Sequence, residues 1–246
     1  MMIDHAEYNR MINSAVVADR LDVVRGHTEV LRQISVEVAG QGVTGLLGPS
    51  GSGKTTFLRC ILGVQRITRG QVTVLGQPAG SRVLRSQIGY ASQAASVYDD
   101  LTVTENLRYF AAMLRLPESE VERVIQAVDL SHYASRLTGR MSGGQRSRVS
   151  LAVSMLGKPK LLILDEPTVG LDPALREELW DLFHRLAGEG TTVLVSSHVM
   201  DEAERCDSLL LLRDGQVLAQ DTPAALKAQT GADSMDGAFL KLVRAA

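Results

Sequence analysis

The stretch that decides the fold is Gly48-Pro49-Ser50-Gly51-Ser52-Gly53-Lys54-Thr55, which lies between the apolar run VTGLL at 43–47 and the helical pattern TFLRCILG at 56–63. Glycines let the backbone curl until successive N–H groups point inward at one anion. The helix that follows adds the positive end of its dipole. This strand, loop and helix predict a binding loop for a polyphosphate, with Thr56 as a further contributor.

Two side chains at the end of this loop have expected roles of their own. Lys54 can reach the β- and γ-phosphates of a nucleoside triphosphate, and the Thr55 hydroxyl is the expected protein ligand of Mg²⁺. The alternative is a glycine-rich turn with an incidental lysine. The full spacing and the correct flanking elements favour the phosphate site.

Two adjacent acids, Asp165 and Glu166, follow the apolar run LLIL at 161–164. Ligands of parallel sheets bind at the carboxyl ends of the strands. Since successive strand residues point to opposite sides, we expect Asp165 to face Mg²⁺, through water, and Glu166 to orient and deprotonate an attacking water. Taken alone, the pair is also compatible with a simple strand end before Pro167, but the phosphate loop upstream favours catalysis.

Two further polar residues follow strand-like runs. His198 comes just after TVLVSS at 192–197, so its imidazole can face the γ-phosphate, and Gln93 follows IGYAS at 88–92, where it can sense the metal and its water. Most histidines and glutamines are surface or satisfied core groups. Only the position of each residue relative to its strand makes it a candidate.

The pattern of the last third of the chain predicts the fold class. LLIL at 161–164 and TVLVS at 192–196 suit buried parallel strands, and a helix opened by Asp172 and Pro173 lies between them. A strand, helix and strand with such a crossover imply right-handed βαβ winding. Runs such as VEV at 36–38 and QVTVL at 71–75 predict a strand-rich lobe before it. We therefore expect an α/β fold with a mainly parallel sheet and an antiparallel β lobe.

A helical lobe is expected in the middle of the chain. The capping box from Thr102 to Glu105 opens an apolar-periodic stretch that runs to about Leu116, where Pro117 stops it. A second helix follows with an apolar face at three- and four-residue spacing. We expect this lobe at about 99–150, inserted in a domain over 20–246, and a loose N-terminal extension over 1–19.

Composition excludes several classes. The chain has 246 residues and 45% hydrophobic residues, but no apolar run of the ~18 residues that a membrane span needs. Its start, MMIDHAEYNR, lacks the pattern of a signal peptide. Cys60 and Cys206 suggest reduced core thiols, and the net charge of −2 gives no basic stripe for nucleic acid. We expect a cytoplasmic protein that does not bind nucleic acid directly.

The segment Met141-Ser142-Gly143-Gly144-Gln145 resembles the LSGGQ signature of the ABC transporter ATPases, with Met in place of Leu. The order of elements is also similar to that family, from the phosphate loop through Gln93, the signature and the acid pair to His198. The resemblance runs from about Arg20 to Lys241. It implies a P-loop NTPase core, a helical lobe that carries the signature, ATP and Mg²⁺ as cofactors, and ATP hydrolysis.

The signature residues predict a second anion site. Ser142 and the N–H groups of Gly143 and Gly144 stand at the start of the helix GQRSRVSLAVSML, where the dipole favours phosphate. The resemblance implies that this surface, with Gln145 and the loop ending at Asp172, closes over a nucleotide held by another subunit. We expect a homodimer in which both composite sites contain Glu166 and His198.

The family normally has an aromatic residue in its first strand that stacks on adenine. The equivalent position in DVVRGHTEVL is Arg25, whose planar guanidinium can also stack on a base. An exposed surface arginine is the other interpretation, and both stay open. Stacking by Arg25 predicts a weak preference for ATP over GTP.

Three kinds of ABC protein are considered for this chain. The tail from Asp233 to Leu242 and the stretch VYDDLTVTENL at 97–107 resemble the exporter ATPases of drugs and antibiotics, in which the latter stretch receives a coupling helix of a separate membrane permease. That reading predicts a peripheral location on the cytoplasmic face of the cell membrane. An importer subunit is the first alternative. A soluble ABC ATPase acting on nucleic acid or ribosomes is the second, but coiled coils and a second module are both missing.

Overall fold

The computed structural model describes residues 14–245. These residues belong to two compact units, one made of the chain up to Arg85 together with the residues from Leu194 onward, the other of Ser86–Val193. Within residues 14–245, no helix has the length and apolar character that a membrane span requires.

An antiparallel sheet in the first unit has the strand order β2-β1-β4-β5. Its strands are β1 (Ser14–Arg25), β2 (Thr28–Ala39), β4 (Arg69–Val74) and β5 (Gln77–Pro78). The predicted run at 36–38 lies in β2, and the run at 71–75 lies in β4 up to Val74, so the strand-rich region is confirmed.

The expected boundary of the N-terminal extension at Asp19 is wrong for residues 14–19, which belong to β1. The pairing of β1 with β2 shifts register between Ala18 and Leu21, and Arg20 between them has a left-handed φ of 44°. This irregularity puts the apolar residues before and after it out of phase, so the alternation that marks a strand is interrupted. Residues 1–13 of the expected extension lie outside the described part of the chain.

The first unit also contains a parallel strand pair, in which β3 (Gly42–Leu47) lies beside β9 (Ser208–Arg213), and β10 (Gln216–Asp221) pairs antiparallel with β9. Helix α1 follows β3 through the glycine-rich loop. The helices of this unit are α1 (Lys54–Ile61), α6 (Pro223–Thr230) and α7 (Met235–Ala245).

In the second unit, β6 (Ile88–Ala91) and β7 (Leu161–Asp165) are parallel neighbours, with Ala91 opposite Leu164. Helix α5 (Pro173–Gly188) follows β7, and β8 (Thr192–Ser197) carries the chain across the boundary between the units. Asp172 caps α5 as predicted, because its Oδ1 accepts from the N–H of Leu175 at 3.0 Å. The α/β class, with parallel and antiparallel pairing, is confirmed.

The predicted middle helices are also present as α2 (Val103–Met113), α3 (Glu118–Ala127) and α4 (Gly143–Ser154). The capping box of α2 forms, since Thr102 and Glu105 exchange side-chain hydrogen bonds with each other's main-chain N–H. Helix α2 ends earlier than expected because Arg115 turns left-handed, with φ of 58°. The second unit extends beyond these helices, and a separate lobe over 99–150 stays a prediction.

Candidate functional site

The glycine-rich loop joins β3 to α1, and its tight course depends on missing side chains. Gly53, the N-cap of α1, has φ of 104°, and a Cβ there would lie 2.7 Å from Leu31 Cδ2. A Cβ on Gly48 would lie 2.0 Å from the carbonyl oxygen of Leu212 at the end of β9. Larger residues at these two positions would displace the loop from its neighbouring strands.

The turn between β9 and β10 holds this loop in place. The N–H of Gly215 donates to the carbonyl of Ser52 at 3.1 Å, and the carbonyl of Gly215 accepts from the N–H of Arg32 at 2.8 Å. The loop is therefore bonded through Gly215 to β2. Arg25, at the hairpin between β1 and β2, is exposed, so the guanidinium is open to a ligand or to solvent.

The interior of the loop is cationic and rich in donors. Lys54 is 5% exposed, and its Nζ donates to the carbonyls of Gly48 at 2.7 Å and Pro49 at 3.1 Å. Ser52 is 2% exposed, and its hydroxyl has no hydrogen-bond partner among the described residues. A buried ammonium and an unsatisfied hydroxyl inside one loop match the needs of an anion with several oxygen atoms.

The acid pair lies in the second unit at the end of β7. Asp165 is its last residue and is 3% exposed, whereas Glu166 is half-buried and has a left-handed φ of 53°. Strand β7 ends at Asp165, so the argument from strand alternation does not extend to Glu166, and opposite directions for the two carboxylates stay a prediction. The left-handed conformation at Glu166 costs roughly 1–2 kcal/mol for a residue with a Cβ.

Gln93 and Glu166 come together in the structure. The Gln93 Nε2 donates to the Glu166 Oε2 at 3.2 Å. The contact follows from the parallel pairing of β6 and β7, which brings the carboxyl ends of both strands to one edge. Both residues belong to the second unit, so this pair is defined by that unit alone.

The donors expected for Mg²⁺ are the Thr55 hydroxyl, the Gln93 amide and the Asp165 carboxylate. Thr55 is half-buried at the start of α1, and Asp165 offers a carboxylate held away from solvent. Hard oxygen ligands in small number are what Mg²⁺ takes from proteins when it also binds phosphate. The residues present therefore fit this cation chemically.

The signature segment forms the predicted helix start. Ser142 is the N-cap of α4, its Oγ accepts from the N–H of Gln145 at 3.3 Å, and the Gln145 Oε1 accepts from the N–H of Ser142 at 3.1 Å. A Cβ on Gly143 would meet nothing within 4 Å, whereas one on Gly144 would lie 2.9 Å from Leu171 Cδ2. Packing inside the chain thus explains the glycine at 144 but not the one at 143.

The remaining candidates are exposed. His198 follows β8 directly, and Asp172 precedes α5, so each stands at the end of its element as the sequence predicts. Sequence reasoning missed the left-handed turn at Glu166 and the contact of Gly215 with the loop. Neither leaves a local pattern in the sequence, because one is a single backbone angle and the other joins residues far apart in the chain.

Three features are those of a P-loop ATPase: the glycine-rich loop, the acid pair at the end of β7 and the start of α4 at Ser142. The family model described as ABC transporter matches residues 31–169, more than half of the chain. A shorter match, over residues 139–200, is to the model described as AAA domain, putative AbiEii toxin, Type IV TA system. The chain belongs to the ABC transporter family, as its ATP-binding domain, and ATP-binding domains of this family hydrolyse ATP.

Similar proteins and a solved structure agree with this family assignment. The chain is 41% identical over 190 residues to "Probable multidrug ABC transporter ATP-binding protein YbhF" of Escherichia coli K12, covering 75% of this chain and 33% of that protein. It is 38% identical to "Nod factor export ATP-binding protein I" of Rhizobium sp. strain N33, covering 82% and 68%. A "Structure of ATP binding subunit of ABC transporter" superposes with a TM-score of 0.85 at 28% identity, covering 94% and 100%. The chain thus spans about a third of the first of these relatives.

Proposed function

We propose that this chain is the ATP-hydrolysing motor subunit of a membrane exporter of drugs, antibiotics or lipophilic compounds. It acts as a homodimer beside a separate membrane permease, on the cytoplasmic face of the cell membrane. The observation that carries this proposal is the presence, in one chain, of a donor-rich phosphate loop around Lys54 and an open helix start at Ser142.

The residues of the loop bind the phosphates of ATP, and the acid pair serves the metal and the attacking water. The main chain from Gly48 to Gly53 cradles the phosphates, Lys54 turns towards the β- and γ-phosphates, and Thr55 joins Asp165 in holding Mg²⁺. When bound, that cation offsets the negative charge of the phosphates. Gln93 adds an amide oxygen or orients water there.

Glu166 acts as the general base on the attacking water. Its carboxylate accepts from Gln93, which keeps it oriented. The proton of the water passes to it as the water oxygen bonds to the γ-phosphorus, while the bond from the γ-phosphorus to the oxygen of the β-phosphate breaks and ADP leaves. His198, exposed at the end of β8, contacts the γ-phosphate. Arg25 stacks on the adenine base.

The homodimer follows from the signature segment. Gly143 has open space where a side chain would be, and the N–H groups of Gly143 and Gly144, at the positive end of the α4 dipole, attract anions. A nucleotide on the loop of one copy is therefore closed by Ser142, Gly143, Gly144 and Gln145 of the other, with Asp172 at the interface. Loss of the γ-phosphate after hydrolysis removes this bridge, and the copies separate.

Export is favoured over import by the relatives, whose names refer to multidrug transport and to Nod factor export. An exposed aromatic cluster supports a permease partner. Tyr98 is 46% exposed and Tyr109 45% exposed, and their rings lie 5.2 Å apart, edge to face. Phe110 contacts both rings, and Met113 extends the apolar surface at 66% exposure. Such a patch suits a short amphipathic helix of a membrane protein.

Phosphate release from MgATP by the purified chain tests the proposed ATPase activity. Lys54→Ala is the matched variant that lacks the charge. We expect Lys54→Ala to weaken ATP binding by about tenfold or more, because a desolvated cation facing the phosphates is removed. Unchanged affinity would overturn the loop assignment.

The proposed partnership with a permease is tested by co-purification in detergent. The partner expected is a six-helix membrane protein encoded beside this chain. A repair or ribosome protein as the neighbour, and no membrane partner, would favour the soluble alternative.

A further inference from the structure

Asn106 of α2 is a buried polar residue to which the proposed mechanism gives no role. It is 0% exposed, and its side chain lies among main-chain groups of the segment that follows Gln93. The Oδ1 accepts from the N–H of Tyr98 at 2.8 Å, and the Nδ2 donates to the carbonyl of Tyr98 at 3.0 Å. The amide therefore holds both main-chain polar groups of a single residue.

The same amide reaches the segment before the signature. Its Nδ2 lies 3.4 Å from the Thr138 Oγ1, and that hydroxyl donates to the carbonyl of Tyr98 at 2.6 Å. Thr138 is also 0% exposed, and its N–H donates to the carbonyl of Leu101 at 3.0 Å. Tyr98, Asn106 and Thr138 thus form one buried cluster, which we call the Asn106 clamp.

The chemistry at position 106 is restrictive. One atom must accept from an N–H and the other must donate to carbonyls, and only an amide side chain offers both in this geometry. The Nδ2 also donates to the Leu101 carbonyl at 3.3 Å. Aspartate would set a carboxylate against the Tyr98 and Leu101 carbonyls, and leucine would leave the Tyr98 N–H without its partner. A lost hydrogen bond that leaves a buried polar group unsatisfied is destabilising, because that group keeps its desolvation penalty.

Further contacts join the same two segments. Arg146, in the first turn of α4, forms an ion pair with Asp99 at 2.7 Å. The N–H of Gly139 donates to the carbonyl of Asp99 at 3.0 Å, and a Cβ on Gly139 would lie 2.8 Å from that oxygen. The segment after Gln93 and the segment before Ser142 are therefore bonded along their length, with the Asn106 clamp as the buried part.

We propose that Asn106 is a positioning residue that fixes the signature segment against the segment following Gln93. At one end that segment contacts Glu166 through Gln93, and at the other it is bonded to Thr138, four residues before Ser142. The clamp sets where Ser142 stands relative to the Gln93–Glu166 pair of its own copy. This inference rests on the proposed function, because Ser142 there serves the nucleotide of the partner.

The test compares Asn106→Ala and Thr138→Val in the Glu166→Gln background, by the ATP concentration needed for half-maximal dimer formation in analytical ultracentrifugation. We expect each to raise this concentration by about tenfold or more, while ATP binding by the dilute monomer changes by less than about twofold. Thr138→Ser keeps the hydroxyl and should follow the parent. Because Asn106 and Thr138 share partners, the double variant should be less impaired than the sum of the two.

The matched control is Thr102→Ala, which removes the side-chain N-cap of the same helix and should lower its stability, while the Thr102 carbonyl that accepts from the Asn106 Nδ2 at 3.1 Å stays in place. A merely structural role would make Asn106→Ala resemble this control at equal loss of thermal stability, and that result would overturn the proposal. Should Asn106→Ala fail to fold, the same measurement on Thr138→Val and Thr138→Ser tests the proposal. Equal ATP concentrations for half-maximal dimer formation in these two variants would overturn it. If the Glu166→Gln parent itself does not dimerise with ATP, the proposed function is rejected, and this inference with it.

Discussion

The amide of Gln93 donates to the carboxylate of Glu166 at 3.2 Å, and Glu166 meets it from a left-handed turn. A residue with a Cβ is strained in that conformation, so the surrounding structure must hold it there. In the proposed mechanism this contact orients the general base. A substitution at Glu166 should therefore change the rate of hydrolysis without changing the affinity for ATP.

Replacing Glu166 by Gln should keep ATP binding and trap a nucleotide-dependent dimer. The phosphate and metal contacts remain in this variant, while the base that activates water is lost. Gel filtration with and without MgATP measures the effect, and phosphate release should fall by about a hundredfold or more. A variant that stays monomeric at saturating ATP contradicts the two-copy site.

Gly143 and Gly188 provide a matched pair of glycines, each with open space at its Cβ position. Gly143→Ala should leave thermal stability and monomer ATP binding unchanged, but reduce ATP-dependent dimerisation by about tenfold or more, since the methyl group occupies the approach of the partner's phosphates. Gly188→Ala, at the end of α5, should leave both unchanged. Equal behaviour of the two variants would argue against a role for the first turn of α4.

Arg25 offers a test of base recognition. If its guanidinium stacks on the base, Arg25→Ala should weaken ATP binding by about two- to fivefold, which corresponds to a cation–π contact at an exposed site. GTP should bind the parent within about tenfold of ATP, because stacking distinguishes the two purines weakly. Arg66→Ala, another exposed arginine, is the control. A GTP dissociation constant more than about tenfold above that for ATP counts against stacking by Arg25.

The two thiols should be inert in the folded protein. Cys60 and Cys206 are buried, and burial raises the pKa of each thiol from 9.0 to about 12. A raised thiol pKa disfavours the thiolate, so at pH 8 the reactive form is nearly absent. Ellman's reagent at pH 8 should find no fast-reacting thiol in the native chain and two after denaturation. A fast native reaction would show that one of them is open to solvent.

The sequence predicts the elements that local patterns encode. The strands around Leu46 and Ile163, the capping box at Thr102 and the N-cap at Asp172 all depend on residues close together in the chain, and all are confirmed. The irregular strand at Ser14–Asp19 is missed because its bulge at Arg20 interrupts the alternation.

The features of the site that sequence reasoning misses depend on long-range contacts. The loop is held by Gly215, and Thr138 reaches Tyr98 through a hydrogen bond that spans 40 positions. The turn at Glu166 needs a backbone angle that the residue does not favour by itself. Such features become visible only when the strands that bring them together are in place.

A crystal structure of the Glu166→Gln variant with MgATP tests the central claim most directly. We expect a two-fold dimer in which the γ-phosphate held by Lys54 and the loop of one copy is within hydrogen-bonding distance of Ser142 Oγ and the Gly144 N–H of the other. If every assembly in the crystal leaves the ATP in contact with a single copy, and Ser142 remote from any phosphate, the claim is contradicted.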